Sequence, residues 1–149
     1  MRQGYDRGDV TGTWLVSSLL AIIGLAAAVP DPVPFKTLAG GTQSGIEDAK
    51  TVVVRTSAEW KTLCTEHGQP CPPVDFSRST VVGVFLGTRP TAGFSAEITR
   101  IDRDGDALVV TWREKQPGPG EMAAQMMTMP FQLATVDRVT GPVRFTRLR

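Results

Sequence analysis

"TVVGVFLGTRPTAGFSAEITRIDRDGDALVVTWRE", Thr80 to Glu114, decides the fold. Its opening run, Thr80 to Gly87, is apolar on both faces, which predicts a central, buried strand. After a loop of Gly, Arg, Pro and Thr the pattern takes period two. Phe94, Ala96 and Ile98 fall on one face, and Ser95, Glu97 and Thr99 on the other. A second alternating run sets Leu108, Val110 and Trp112 against Val109, Thr111 and Arg113. Asp104-Gly105 between the two runs is a hairpin turn, since glycine enters the φ > 0 region that tight hairpins require.

Downstream, "QPGPGE" (Gln116 to Glu121) is a proline-stiffened turn that leads to "MAAQMMTM", read as a strand. Pro130 interrupts that run and predicts an edge or a bulge, because proline cannot donate to a ladder. "FQLATV" and "VRFTRL" complete the strands. Upstream, "TVVVRT" (Thr51 to Thr56) is a short β-branched strand. A helix follows it: Thr56 and Glu59 have capping-box spacing, and Gly68 is a C-terminal stop. Trp60, Leu63, Cys64 and His67 share one face of that helix. "GGTQSGIED", Gly40 to Asp48, has loop composition. The sum is an α+β domain: a mainly antiparallel sheet, or a partly rolled barrel or sandwich of seven to eight strands, with one early helix packed on it.

The chain is long enough for a single domain of this kind. Trp14 to Ala28 is apolar, free of charge and closed by three alanines. At 1.5 Å rise it spans about 22 Å as a helix, short of a membrane's hydrocarbon core. It is read as a signal peptide over residues 1–28, with an uncleaved N-terminal anchor as the alternative. Residues 29–34, "VPDPVP", are a proline-rich linker held out of helix and sheet, and the domain runs over 35–149. No cysteine stands directly after the apolar run, so a lipid-anchored form is not expected. The localisation this implies is secreted or periplasmic, in a bacterial cell envelope. Membrane contact is expected only through the N-terminal segment. Formal net charge is +1, which provides no basic field for nucleic acid.

Cys64 and Cys71 are the only cysteines. In an oxidising compartment they predict a disulfide, whose closed loop is worth about 2–3 kcal/mol. Zinc is the rival, but with His67 as the single histidine a fourth ligand is missing. Cys64 and His67 at i, i+3 also offer a thiolate pair in principle, although the disulfide competes for the thiol. There is no G-x-S-x-G elbow, and "GTRPTAG" lacks the Lys-Ser/Thr end of a phosphate loop. Nothing calls for a cofactor or a metal, and the chain reads as a non-enzyme. Met122, Met126, Met127 and Met129 suit either an adaptable binding surface or core packing on at least one side of their strand, and the packing is preferred.

Two stiff turns remain. Pro90 rigidifies the first, Gly93 permits φ > 0 or close approach, and Arg89 carries a fork of donors. Pro117 and Pro119 stiffen the second. Rigid loops lose little entropy on binding, so they suit protein recognition; the plain alternative is that both only join strands.

Three blocks, "VDFSRSTVVGVFLGTRPTAGFSAEI", "VVTWREKQPGPGEM" and "TMPFQLATV", resemble the PrcB C-terminal-domain family. The resemblance runs from about Val52 to Phe145, with Trp60 matching a tryptophan in the family's early helix. Gly87, Arg89, Pro90, Thr91 and Gly93 match its G-x-R-P-T-G-G-Y loop, while Ala92 replaces a Gly and Phe94 the Tyr. Phe131 likewise stands where Tyr is common. The resemblance implies an exported, non-catalytic domain whose founding role is that of an accessory subunit in a cell-surface protease complex. The expected partner is a protein, plausibly a protease, met by Arg89, Pro90, Thr91, Gly93, Phe94, Pro117 and Pro119. "RPTAGF" is also similar to the N-P-T-T-G-Y loop of chagasin-type inhibitors, so a protease inhibitor presenting Arg89–Phe94 is the alternative. An envelope structural protein is a further one.

Overall fold

The computed structural model describes residues 29–149; residues 1–28, read above as a signal peptide or anchor, lie outside them. Eight strands and one helix follow in the order β1 (Asp31–Pro32), β2 (Lys36–Gly41), β3 (Lys50–Val54), α1 (Ser57–His67), β4 (Ser79–Phe85), β5 (Ser95–Asp104), β6 (Ala107–Lys115), β7 (Phe131–Asp137) and β8 (Val143–Arg147). They form two sheets of strand order β1-β5-β6-β8 and β2-β7-β4-β3. All pairings are antiparallel except β6–β8, which is parallel. The architecture is an α+β sandwich, not a closed barrel.

Three layers follow from the burial pattern. Val82, Val84, Leu86, Ala134 and Val136 of one sheet meet Ile98, Ile101, Leu108 and Val110 of the other. On the opposite face of the first sheet, Val81, Phe85, Phe131 and Leu133 pack against Trp60 and Leu63 of α1. β4 therefore has apolar side chains on both faces because both faces are covered.

α1 is built as its sequence directs. The Thr56 hydroxyl accepts from Glu59 N at 3.2 Å, and the Glu59 carboxylate accepts from Thr56 N at 3.2 Å. Gly68 ends the helix at φ 71°. Cys64 and Cys71 form a disulfide with Cα atoms 5.9 Å apart, and Trp60 Nε1 donates to Pro72 O at 3.2 Å. These ties hold the returning segment against the helix.

Several expectations need correction. Asp31 and Pro32, in the segment expected to stay out of the sheet, pair with Arg103 and Asp102; proline is tolerated because the strand is a short edge. The ladder of β5 shifts between Ile98 and Arg100. This extra residue resets the alternation, so both Ile98 and Ile101 reach the core. "MAAQMMTM" is not a strand. It is an irregular segment whose ladder contacts are isolated bridges, Arg89 with Thr128 and Gln43 with Met129. Pro130 marks no edge or bulge. It is buried immediately before β7, an interior strand, and its carbonyl accepts from Leu86 N at 2.9 Å.

Candidate functional site: a braced two-loop surface

The loop between β4 and β5 (residues 86–94) and the loop between β6 and β7 (residues 116–130) leave the same end of the sandwich and are tied together. Arg89 and Thr128 exchange both backbone hydrogen bonds, at 2.7 and 2.9 Å. Ala92 N donates to Ala124 O at 3.0 Å, and Thr128 Oγ1 donates to Thr91 O at 3.0 Å. Gly93, at φ 89°, lies under Pro117: a Cβ there would stand 2.7 Å from the proline Cγ. Gly87 meets a third segment in the same way, since a Cβ would lie 2.6 Å from Glu47 O. Thr88 N completes that contact by donating to Glu47 O at 2.9 Å.

Arg89 is not a free donor. Its Nε and Nη2 grip Glu114 Oε1 and Oε2 at 2.7 and 3.1 Å, and Nη1 donates to Thr88 O at 3.1 Å. Arg147 Nη2 donates to Glu114 Oε2 at 2.6 Å, and its guanidinium lies 5.4 Å from the Trp112 ring centroid. The Glu114 side chain is only 4% exposed. Hydrogen bonds from Arg89 hold its carboxyl below the usual carboxylate range, against the opposing effect of burial.

The structure thus brings together Arg89, Pro90, Thr91, Gly93 and Pro117. Phe94 is half-buried at the mouth of β5, and Pro119 is exposed on the second loop. The accessible parts of this face are Pro90, Gly93 and Pro119, with Met122, Met126 and Met127 at 100%, 50% and 69% exposure. The expectation that these methionines pack a core on one side fails because their segment never joins a sheet.

Two residues escaped the sequence reading. Glu114 continues the inward parity of Leu108, Val110 and Trp112, and Arg147 continues that of Val143 and Phe145. Opposite charges ending two inward-facing rows on paired strands must meet, and that was the available signal.

The chemistry considered around α1 is closed off. Cys64 is bonded to Cys71 and serves neither thiolate catalysis nor zinc. His67 is buried, with Nδ1 2.8 Å from Ser44 Oγ; that oxygen also accepts from Ile46 N at 3.1 Å. The ring packs edge-on to Phe131 at 4.3 Å and Phe85 at 5.7 Å. Burial pushes its pKa down. This histidine ties the 42–48 loop to the helix end. Among the described residues, no helix is long and apolar enough to cross a membrane.

Comparison with known proteins gives one family. The PrcB C-terminal family model matches residues 80–137, from β4 to the end of β7, which includes both loops. No curated protein and no solved structure matches the chain.

Proposed function

We propose, from the PrcB C-terminal match across residues 80–137, that the chain is an exported, non-catalytic interaction domain that serves a secreted or surface protease as accessory subunit or partner. The observation that carries this reading is the bracing of the two loops. Four backbone and side-chain ties and the Arg89–Glu114 fork hold them before any partner arrives. Little conformational entropy is left to lose on binding. Three exposed methionines between rigid prolines make an adaptable apolar contact on a fixed frame. The Cys64–Cys71 disulfide supports an oxidising destination.

Arg89 acts here as the brace, and Pro90, Phe94, Pro119 and the methionines form the contact. Co-purification of the tagged chain from its native envelope tests the reading: a specifically retained protease is expected, and no specific partner counts against it. An inhibition assay on a protease panel separates the subunit role from an inhibitor role.

A further inference from the structure

The two sheets have four edges, and three are protected against strand addition. β1 is two residues long and contains a proline. β2 carries an irregularity between Thr37 and Ala39 and ends in two glycines. β8 presents Arg144 and Arg147. β3 carries only Lys50 at its first residue, and that lysine is paired with Glu66 of α1; from Thr51 to Val54 it has none of these devices. Its sequence is Lys-Thr-Val-Val-Val, it keeps unbroken register with β4 from Lys50 to Val54, and its other side has no strand. Natural sheets seldom leave such an edge bare.

The surroundings of β3 are also shaped. On the helix side runs an open groove of about 450 Å³ lined by Val52, Val54, Ala58 and Leu63, with Glu59 and Glu66 of α1 also on its wall. On the other side, where the sandwich gapes between β3 and β8, lies a groove of about 360 Å³. Phe85, Leu86 and Trp112 line it, with Lys50, Arg89 and Arg147. Arg55, just beyond the other end of β3, donates to Val139 O and Gly141 O of the β7–β8 loop at 3.3 and 2.6 Å. Glu114 is one carboxylate shared by two guanidiniums, so one positive charge of that trio is uncompensated.

We propose that β3 accepts an extended peptide segment as an added strand, with apolar side chains toward α1 and acidic side chains toward Arg147. Strand alternation sends successive side chains into opposite grooves, so the fitting sequence alternates apolar and acidic residues. Main-chain bonds supply affinity and the two grooves supply selectivity. This site is separate from the methionine face and does not depend on its role.

The probe is a fluorescein-labelled Gly-Val-Glu-Val-Glu-Val amide titrated with the full chain and read by anisotropy. Saturable binding is expected, weakened about tenfold when both glutamates become lysine, and about tenfold by Arg147→Glu. Only alternate peptide amides face the strand, so N-methylation at one parity should abolish binding and at the other spare it. Met127→Glu should leave binding unchanged. The proposal is overturned by absence of saturable binding, or by equal affinity for the lysine peptide. Equal behaviour of the two N-methylated sets, an unchanged Arg147→Glu, or loss with Met127→Glu also overturns it. The peptide swaps decide the matter even if the arginine variant fails to fold.

Discussion

Arg89 and Glu114 meet as a two-point fork, Nε to Oε1 at 2.7 Å and Nη2 to Oε2 at 3.1 Å. This arginine fixes the loop to β6. Glu114→Gln should therefore cost about 2 kcal/mol, in the range for hydrogen bonds to charged groups, because two guanidiniums lose their shared carboxylate. Arg89→Lys keeps the charge but not the fork and should cost about 1 kcal/mol. Urea denaturation near pH 7 measures both; changes within a few tenths of a kcal/mol would refute the brace.

Stability should fall on mild acidification, and His67 should be the cause. Its pKa is lowered from 6.5 by burial, so the unfolded state takes up a proton at higher pH than the folded state does. The contribution is complete above about pH 6.5 and is lost as pH falls through the depressed folded value. Glu114, lowered from 4.5, contributes above that value and loses its share only as pH falls below it. Urea midpoints between pH 7.5 and 5 thus isolate the histidine. His67→Gln should flatten the slope there; a wild-type midpoint that rises on acidification would contradict the assignment.

Gly93→Ala should loosen the two loops. The backbone there stands at φ 89°, and the new methyl would sit 2.7 Å from Pro117 Cγ. A cost of about 1–3 kcal/mol is expected from the strained conformation. Adding Pro117→Ala should recover the steric part but not the conformational part. Hydrogen exchange should report the change at the Arg89 and Thr128 amides, which pair across the loops.

Reduction of Cys64–Cys71 should lower stability by about 2–3 kcal/mol through the freed unfolded chain. The sheets should persist, since the disulfide ties α1 to the segment that follows it and not to a strand. Far-ultraviolet circular dichroism and urea titration with and without reductant measure the two effects.

The legible parts of this sequence were those with local physics. The Thr56–Glu59 box, the Gly68 stop and the two-faced apolar run of β4 each predict one structure from neighbouring residues, and each is found; the hairpin expected at Asp104-Gly105 is there one residue later, with Gly105-Asp106 as its turn and Asp104 paired to Ala107. The parallel pairing of β8 with β6 was not legible, because strand direction in a sheet depends on partners far away in sequence. The methionine segment misled because an apolar run resembles a strand until it is known that no neighbour offers it a ladder. Arg89 was legible as a fork of donors beside a rigid turn, but its engagement with Glu114 was not. Its partner lies on another strand, and only the parity of Leu108, Val110, Trp112 and Glu114 hinted that a carboxylate would be aimed inward.

The central claim is that the face formed by Pro90, Pro119, Met122, Met126 and Met127 binds a protein. The direct measurement is quantitative co-purification from the native envelope with the wild-type chain and with a Met122→Glu/Met127→Glu variant of equal stability. The account predicts that wild type retains a protease and that the variant loses it. Equal retention by both chains, or a wild type that retains no specific protein, would contradict it.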